Sequence, residues 1–319
     1  MTDKSAVAPK GFKLWWIAIR PYAFPASVIP VLYGSVLAVW LNPGEVDFNF
    51  FVFFLTLIGC MLIHVGTNLI NDIYDYKKGI DVEDEEIGIP HGGSLVLSKG
   101  FMTVRQMSYG AFVSVLLAFV IGLILYFLRG EFVLYLMVFG LFSAVFYTAA
   151  PISLKYKALG DIQVFISFGT GMTIGAYMVQ TGKFSWIPVI LSIPLGLFID
   201  AILHSNNLRD LKFDKTFGIK TLPILIGEKL SKYFYVFIVL GAYLSIVIFV
   251  VFKILPVFAL LNFITLPAAF KLIKILNNIP QESKSRFEVG TRVNVGTAQL
   301  SMQFGIATII GILLHIFIF

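Results

Sequence analysis

Charge is scarce in this chain. Charged residues make up 13% of it against 58% hydrophobic, and the mean hydropathy is +0.89. An ordinary soluble domain is about one quarter charged, so a soluble globular protein is excluded and an integral membrane protein is left. Cysteine is scarcer still. Cys60 stands alone inside an apolar run, which rules out a disulfide framework and a cysteine-ligated metal. There is no G-x-x-x-x-G-K-[ST] cradle of the kind a nucleotide site needs. No cleavable signal peptide is visible: the first eleven residues are polar, and the stretch after them carries Trp15, Trp16 and Arg20 rather than a continuous apolar core.

What is abundant is long apolar sequence. Nine segments, near 23–41, 51–70, 107–128, 132–150, 158–180, 186–205, 233–252, 255–275 and 299–319, approach the length needed to cross the hydrocarbon core. Residues 1–22 read as a cytoplasmic tail and interfacial helix, with Trp15 and Trp16 at headgroup level. Of the 24 Lys and Arg residues, all but Arg129, Lys183 and Lys253 fall on one side. The positive-inside rule then predicts a cytoplasmic N terminus and an external C terminus. The net charge of +6 follows this topology and does not indicate nucleic-acid binding.

Two polar boxes interrupt the apolar text. The first is N68-L-I-N-D-I-Y-D-Y-K-K-G-I-D81, the second N206-N-L-R-D-L-K-F-D-K-T-F-G-I-K220. Asn71 and Asp75 are four residues apart, as are Asn206, Asp210 and then Asp214, so a helix presents each set on one stripe. The first box has Gly79 where the second has Asp214, and offers Asp81 instead. Acids beside a membrane span are costly unless something pairs with them. A pair of solvated loop starts is the blander reading, but it leaves the duplication unexplained. The boxes follow the second and sixth segments, which suggests two related four-helix halves and a ninth helix, with 23–319 as a single domain.

Magnesium prefers carboxylates plus substrate phosphates, and the interleaved Lys77, Lys78, Arg209, Lys215, Lys220 and Lys155 suit phosphate oxygens. A diphosphate between the boxes with a hydrocarbon tail between the helices fits both features. Metal-assisted loss of diphosphate from an allylic chain would leave a carbocation, which aromatic faces such as Tyr147, Tyr156, Tyr74 and Tyr76 could stabilise.

These motifs carry a resemblance. The chain resembles the UbiA superfamily of intramembrane prenyltransferases, through Asn71, Asp72 and Asp75 (N-D-x-x-D) and Asp210 and Asp214 (D-x-x-x-D). The stretches Y147-T-A-A-P-I-S-L-K-Y-K-A-L-G-D161, A201-I-L-H-S-N-N-L-R-D210 and G218-I-K-T-L222 place it nearest the 1,4-dihydroxy-2-naphthoate branch. The resemblance implies an all-α polytopic bundle of nine transmembrane helices, Mg2+, a polyprenyl diphosphate donor such as geranylgeranyl diphosphate, and an aromatic acceptor. It implies metal ligation by Asp72, Asp75, Asp81, Asp210 and Asp214, with Asp75, Asp210 and Lys155 at the catalytic centre. Asn68, Asn71, Lys77, Tyr147, Asn206, Asn207, Arg209 and Lys220 would bind substrate or diphosphate, and His91 the acceptor. One departure is His91-Gly92, where bacterial members of the branch tend to place an arginine before glycine.

Other readings compete. His64 and His204, near the cytoplasmic ends of spans, could suggest haem ligation or simple polar packing. Asp161 and Asp200 are alternative bases, Asp161 also a helix cap. Intramembrane acids and duplication also occur in cation-coupled transporters, whose acids sit near the midplane rather than at span ends. Sister enzymes of the superfamily use glycerol phosphate lipids or haem as acceptors.

Overall fold

The structure, a computed structural model, describes residues 9–81, 83–84, 89–90 and 93–319. Almost all of it is helical: α1 Gly11–Ile19, α2 Pro25–Leu41, α3 Phe50–Lys77, α4 Val104–Arg129, α5 Phe132–Phe146, α6 Gly160–Val164, α7 Met172–Thr181, α8 Trp186–Leu191, α9 Ile193–Arg209, α10 Leu211–Thr216, α11 Leu222–Val251, α12 Leu266–Asn277 and α13 Ser283–Ile318. A π-helical segment, Phe165–Gly171, joins α6 to α7. Among the described residues the only strands are a two-residue antiparallel pair, β1 Glu83–Asp84 and β2 Ile89–Pro90.

Among the described residues seven helical stretches are long and apolar enough to cross a membrane, with Gly160–Thr181 (α6 to α7), Trp186–Arg209 (α8 and α9) and Val257–Asn277 (ending in α12) each counted as one; an eighth forms if α1 and α2 are counted as one span bent by 54°, and α5 is a shorter apolar helix. The bend has a local cause. Arg20 sits in the left-handed region (φ 55°), and Pro21 and Pro25 begin the helical pieces that follow. The chain is thus a multi-pass integral membrane protein.

The spans begin and end where local chemistry permits. The Asn49 side chain caps α3 by accepting from the Val52 amide at 3.2 Å. Thr103 and Gln106 form a capping box at the start of α4. The largest apolar core joins α2, α9, α11, α12 and α13, around Tyr33, Phe198, Tyr235 and Phe304. Phe198, Tyr243 and Phe304 pack edge to face there, with ring centroids 4.6–5.9 Å apart. On the other side α3 pairs with α4, and smaller clusters tie it to α5 and α7.

Three expected boundaries move. The segment expected over 51–70 runs on as α3 to Lys77, so the first box forms its last turns, with Asn71 and Asp75 on one helical stripe. The 206–232 stretch is mostly helical, with α11 beginning at Leu222 and broken at Gly227 (φ 81°). The 276–298 stretch, between two of the apolar segments, becomes helix from Ser283 onward. Two of its polar residues, Arg286 and Asn294, are hydrogen-bonded to α9.

Candidate active site

A cavity of about 930 Å³ lies within the bundle. Its polar end is formed by both boxes; most of the rest is walled by apolar residues of α4, α5 and α7, with a few polar side chains among them. On α3 the wall runs from Asn71 to Thr56 and includes Cys60, a length of about 22 Å at helical rise.

The last turns of α3 bring Asn68, Asn71 and Asp75 to this cavity. Asp75 is buried and fully partnered. Lys155 Nζ donates to its Oδ2 at 2.6 Å, Tyr156 OH to its Oδ1 at 2.6 Å, and Asn71 Nδ2 to Oδ2 at 3.0 Å. Burial alone would lower the Lys155 pKa, but the Asp75 carboxylate outweighs it and holds the ammonium above its ordinary value. The Tyr156 hydroxyl is likewise pushed up, by burial and then by Asp75. Lys78 Nζ stands 3.4 Å from the centre of the Tyr156 ring. Asn68 donates to the Ile19 carbonyl at 3.2 Å, fastening α1 to the box.

Asp72 points elsewhere. It is 1% exposed, pairs with Arg20, and accepts from the Ser94 amide at 3.1 Å and from the Ser94 hydroxyl. It therefore does not line the cavity, although Arg20 and Gly93 beside it do. Asp81 is also buried, and its Oδ1 has no hydrogen-bond partner among the described residues. Burial and the nearby Asp75 push its carboxyl up to about 7.

The second box arrives on α9 and α10. Asn206, Asn207, Arg209, Asp210 and Asp214 all line the cavity. Arg209 holds Asp210 in a bidentate pair, Nε to Oδ1 at 2.7 Å and Nη2 to Oδ2 at 2.6 Å. Burial and Asp210 push the Asp214 carboxyl up to about 7, a push that Lys155 and Arg209 partly oppose and Asp75 across the cavity slightly adds to. Tyr147 and Lys155 complete the polar end from the loop after α5.

Two expected residues stay outside. Lys77 is exposed, 5.9 Å from the Tyr74 ring centre. Lys220 is exposed too, but its backbone works: its amide donates to the Tyr156 carbonyl at 3.3 Å and its carbonyl accepts from the Ala158 amide at 2.6 Å. The end of the second box thereby braces the loop that carries Lys155. His91 lies outside the described residues. His64 and His204 are held by polar packing partners. His64 Nδ1 is 2.6 Å from Ser27 Oγ; His204 is 3.2 Å from Asp161 and 3.0 Å from the Ser231 carbonyl. Asp161 sits in the first turn of α6 rather than capping it.

The support behind the second box comes from residues that the motif spacing did not single out. Arg286 is the largest fully buried side chain. Its Nη2 donates to the Leu208 carbonyl at 2.9 Å and its Nη1 to Glu228 at 3.0 Å. Phe287 lies under the Arg209 guanidinium at 4.9 Å, and a Cβ at Gly290 would run into the Arg209 side chain. Asn294 donates to the Ile202 carbonyl at 2.7 Å and to Ser205 at 3.1 Å. One face of α13 thus fixes the last turns of α9 by their backbone. The signal available was the polar stretch 284–294 with its Arg286 and Asn294, but nothing in it named α9 as the partner.

Chemically, the polar end combines acids from two walls with Lys155 and Arg209. Among the described residues no three His, Cys, Asp or Glu side chains form a ready-made metal cage. A hard cation that keeps water and shares substrate phosphates does not need one. The unpartnered Asp81 oxygen and the two raised carboxyls are what a bound cation would relieve.

Comparison with known proteins agrees with this architecture. The model of the UbiA prenyltransferase family matches residues 27–294. UbiA prenyltransferase domain-containing protein 1 of Danio rerio is 34% identical over 93% of this chain and 83% of its own length. The 1,4-dihydroxy-2-naphthoate octaprenyltransferase of Bacillus subtilis is 28% identical over 96% and 94%. A UbiA homologue from Archaeoglobus fulgidus, solved with DMAPP and Mg2+, superposes with a TM-score of 0.60 at 17% identity, covering 92% of this chain and 98% of its own. Two facing acid boxes above an apolar intramembrane cavity, on helices that match this family over most of their length, identify the chain as a member of the UbiA prenyltransferase family and so as a prenyltransferase.

Proposed function

We propose that this enzyme transfers a polyprenyl chain from its diphosphate to a dihydroxynaphthoate-like aromatic ring, with release of diphosphate, in menaquinone biosynthesis. One observation carries the reading: the two acid boxes meet, with Lys155 and Arg209, at the polar end of a cavity whose remaining wall is mostly apolar and which follows α3 for about 22 Å from Asn71 to Thr56. A diphosphate head and a prenyl tail need those two environments in that order. The similarity to a Bacillus subtilis protein named for 1,4-dihydroxy-2-naphthoate supports the acceptor.

Asp75, Asp210 and Asp214 would hold magnesium at the cavity, with Asp81 and Asp72 behind them. The ion would draw charge from the diphosphate and make it a leaving group. Lys155 and Arg209 then meet phosphate oxygens, which requires each to exchange its present carboxylate partner. Asn68, Asn71, Asn206 and Asn207 orient the head. Tyr147 presents its ring where the tail begins, and the apolar wall keeps water from the allylic cation. Acids at the ends of α3 and α9 suit this chemistry better than midplane ion transport.

In this reading the bent α1–α2 pair and the short α5 each count as a crossing, giving nine, with 23–319 as a single domain of two related halves. The N terminus and both boxes then face the cytoplasm, and the C terminus the outside.

The test is transfer by purified protein in detergent, given geranylgeranyl diphosphate, 1,4-dihydroxy-2-naphthoate and magnesium, with EDTA and 4-hydroxybenzoate as controls. Magnesium-dependent prenylated naphthoquinone is the expected product. Diphosphate binding without that product would move the acceptor to another class, glycerol phosphate lipids or haem among them.

A further inference from the structure

The cavity has a second polar feature, away from the boxes. Ser143 of α5, Gln163 of α6 and Ser167 of the π-helical segment all line it. They form a ladder: Gln163 Nε2 donates to Ser167 Oγ at 3.0 Å, and Ser167 Oγ donates to Ser143 Oγ at 3.1 Å. Among the described residues nothing donates to Gln163 Oε1.

Its position is fixed by its neighbours. Ser143 lies one helical turn before Tyr147. Gln163 lies one turn after Gly160, where a Cβ would stand 3.7 Å from both the Lys155 Cα and the Tyr147 ring. The ladder is therefore about one turn, 5–6 Å, below the residues at the polar end.

The backbone is irregular at this place. A π-helical turn adds a residue to the helix, and such turns concentrate at functional sites. Here the turn is pinned from behind. Ser192 Oγ donates to Thr170 Oγ1 at 2.9 Å, and Gly169 lies so close to Gly196 of α9 that a Cβ would collide with its backbone. Its front face turns both Ser167 and Phe168 into the cavity, and the Phe168 ring meets His64 edge to face at 4.8 Å.

Polar side chains within a membrane span need partners, and hydrogen bonds between neighbouring helices are the commonest reason for them. An interhelical clasp alone would be enclosed between α5 and the π-helical segment. These three groups border the cavity instead, with a free amide oxygen, beside an aromatic face. That combination suits a flat ring carrying hydroxyl groups, whereas a prenyl tail, with no hydrogen-bonding group, leaves the ladder unanswered.

We propose that the Gln163–Ser167–Ser143 ladder binds a ring hydroxyl of the aromatic acceptor, the hydroxyl donating a hydrogen bond to Gln163 Oε1. The ladder holds the ring one turn beneath the diphosphate, where the first carbons of the prenyl chain lie. The proposal rests on the reading of the donor and acceptor given above.

The test compares two Michaelis constants in the full-length enzyme with magnesium. Gln163→Met and Ser167→Ala should each raise KM for 1,4-dihydroxy-2-naphthoate about tenfold, the worth of one hydrogen bond. KM for geranylgeranyl diphosphate should stay within about twofold, which also reports that the variants are folded. The monomethyl ethers of the acceptor add a second arm. In wild type one of them should bind about tenfold more weakly than its parent, by acceptor-induced thermal shift, and in Gln163→Met that difference should vanish. A parallel rise in both constants, or none in either, would overturn the ladder as an acceptor site and leave it an interhelical clasp with the wider reading intact. A wild-type enzyme that prenylates only non-aromatic acceptors would sink both together.

Discussion

Asp75 takes two of its partners from far along the chain, while the bidentate partner of Asp210 is the next residue. Lys155 and Tyr156, 80 and 81 positions away, bind both oxygens of Asp75, with Asn71 one turn back as a third partner. Arg209 grips both oxygens of Asp210, and long-range support for its helix comes through the backbone, where Arg286 reaches the Leu208 carbonyl 78 positions off. Near-duplicate sequences are thus held by different means. In the first box the carboxylate itself is positioned; in the second, the helix that carries it. The first arrangement ties charge to a loop that substrate must displace. The second leaves the charges free to rearrange on a fixed frame.

That contrast is sharpened by substitutions of decreasing severity. Asp75→Ala and Asp210→Ala should each cost about 10³-fold or more in prenyl transfer, while the protein still inserts, since both remove charge where a metal and a diphosphate meet. Wild-type turnover by either variant would break the facing-box arrangement. Lys155→Met should raise KM for the prenyl diphosphate by about 10- to 100-fold. Tyr156→Phe should do less, because it removes only the hydroxyl's bond to Asp75 and keeps the ring beside Lys78.

Arg286→Met acts on the frame. It leaves the Leu208 carbonyl without its donor and takes one of three partners from Glu228, which keeps Lys232 and Gln281, so thermal unfolding in detergent should show a loss of about 2 kcal/mol with a several-fold drop in transfer. Arg286→Lys should recover part of the stability through Glu228. Were Arg286→Met to abolish transfer with no loss of stability, the residue would belong to the chemistry and the contrast would fail.

The mildest probe is pH. Asp81 and Asp214 titrate near 7 in the metal-free protein, above the ordinary carboxylate value of 3.8. Groups raised in the folded state contribute stability that is full below the unfolded pKa and is lost as pH rises through the folded one. Metal-free protein should therefore melt higher at pH 5 than at pH 8, and magnesium should raise the melting temperature at pH 8 far more than at pH 5. Equal magnesium shifts at both pH values would count against cation binding by these two acids.

Much of this was written in local spacing. The four-residue steps Asn71–Asp75 and Asn206–Asp210–Asp214 marked the stripes, and apolar length marked the spans. What spacing could not convey was pairing. Nothing local to Arg20 names its partner, Asp72, a carboxylate that stands off the cavity wall. Lys220 looked like a phosphate ligand, yet its contribution is a main-chain bridge, which no side-chain pattern encodes. The π-helical turn was equally hidden: residues 158–180 read as one apolar span, and the inserted residue follows from the close approach of Gly169 to Gly196, a contact between distant segments.

Cys60 has a consequence for how this enzyme can be watched. It is the only thiol in 319 residues, and it borders the cavity about 16 Å along α3 from Asn71. The natural chain is therefore already a single-label variant. A fluorophore or spin probe attached there would sit beside the path of the substrate's hydrocarbon end, with no cysteine to remove and none to add. Its signal would separate short donors, which end before that depth, from long ones that pass it.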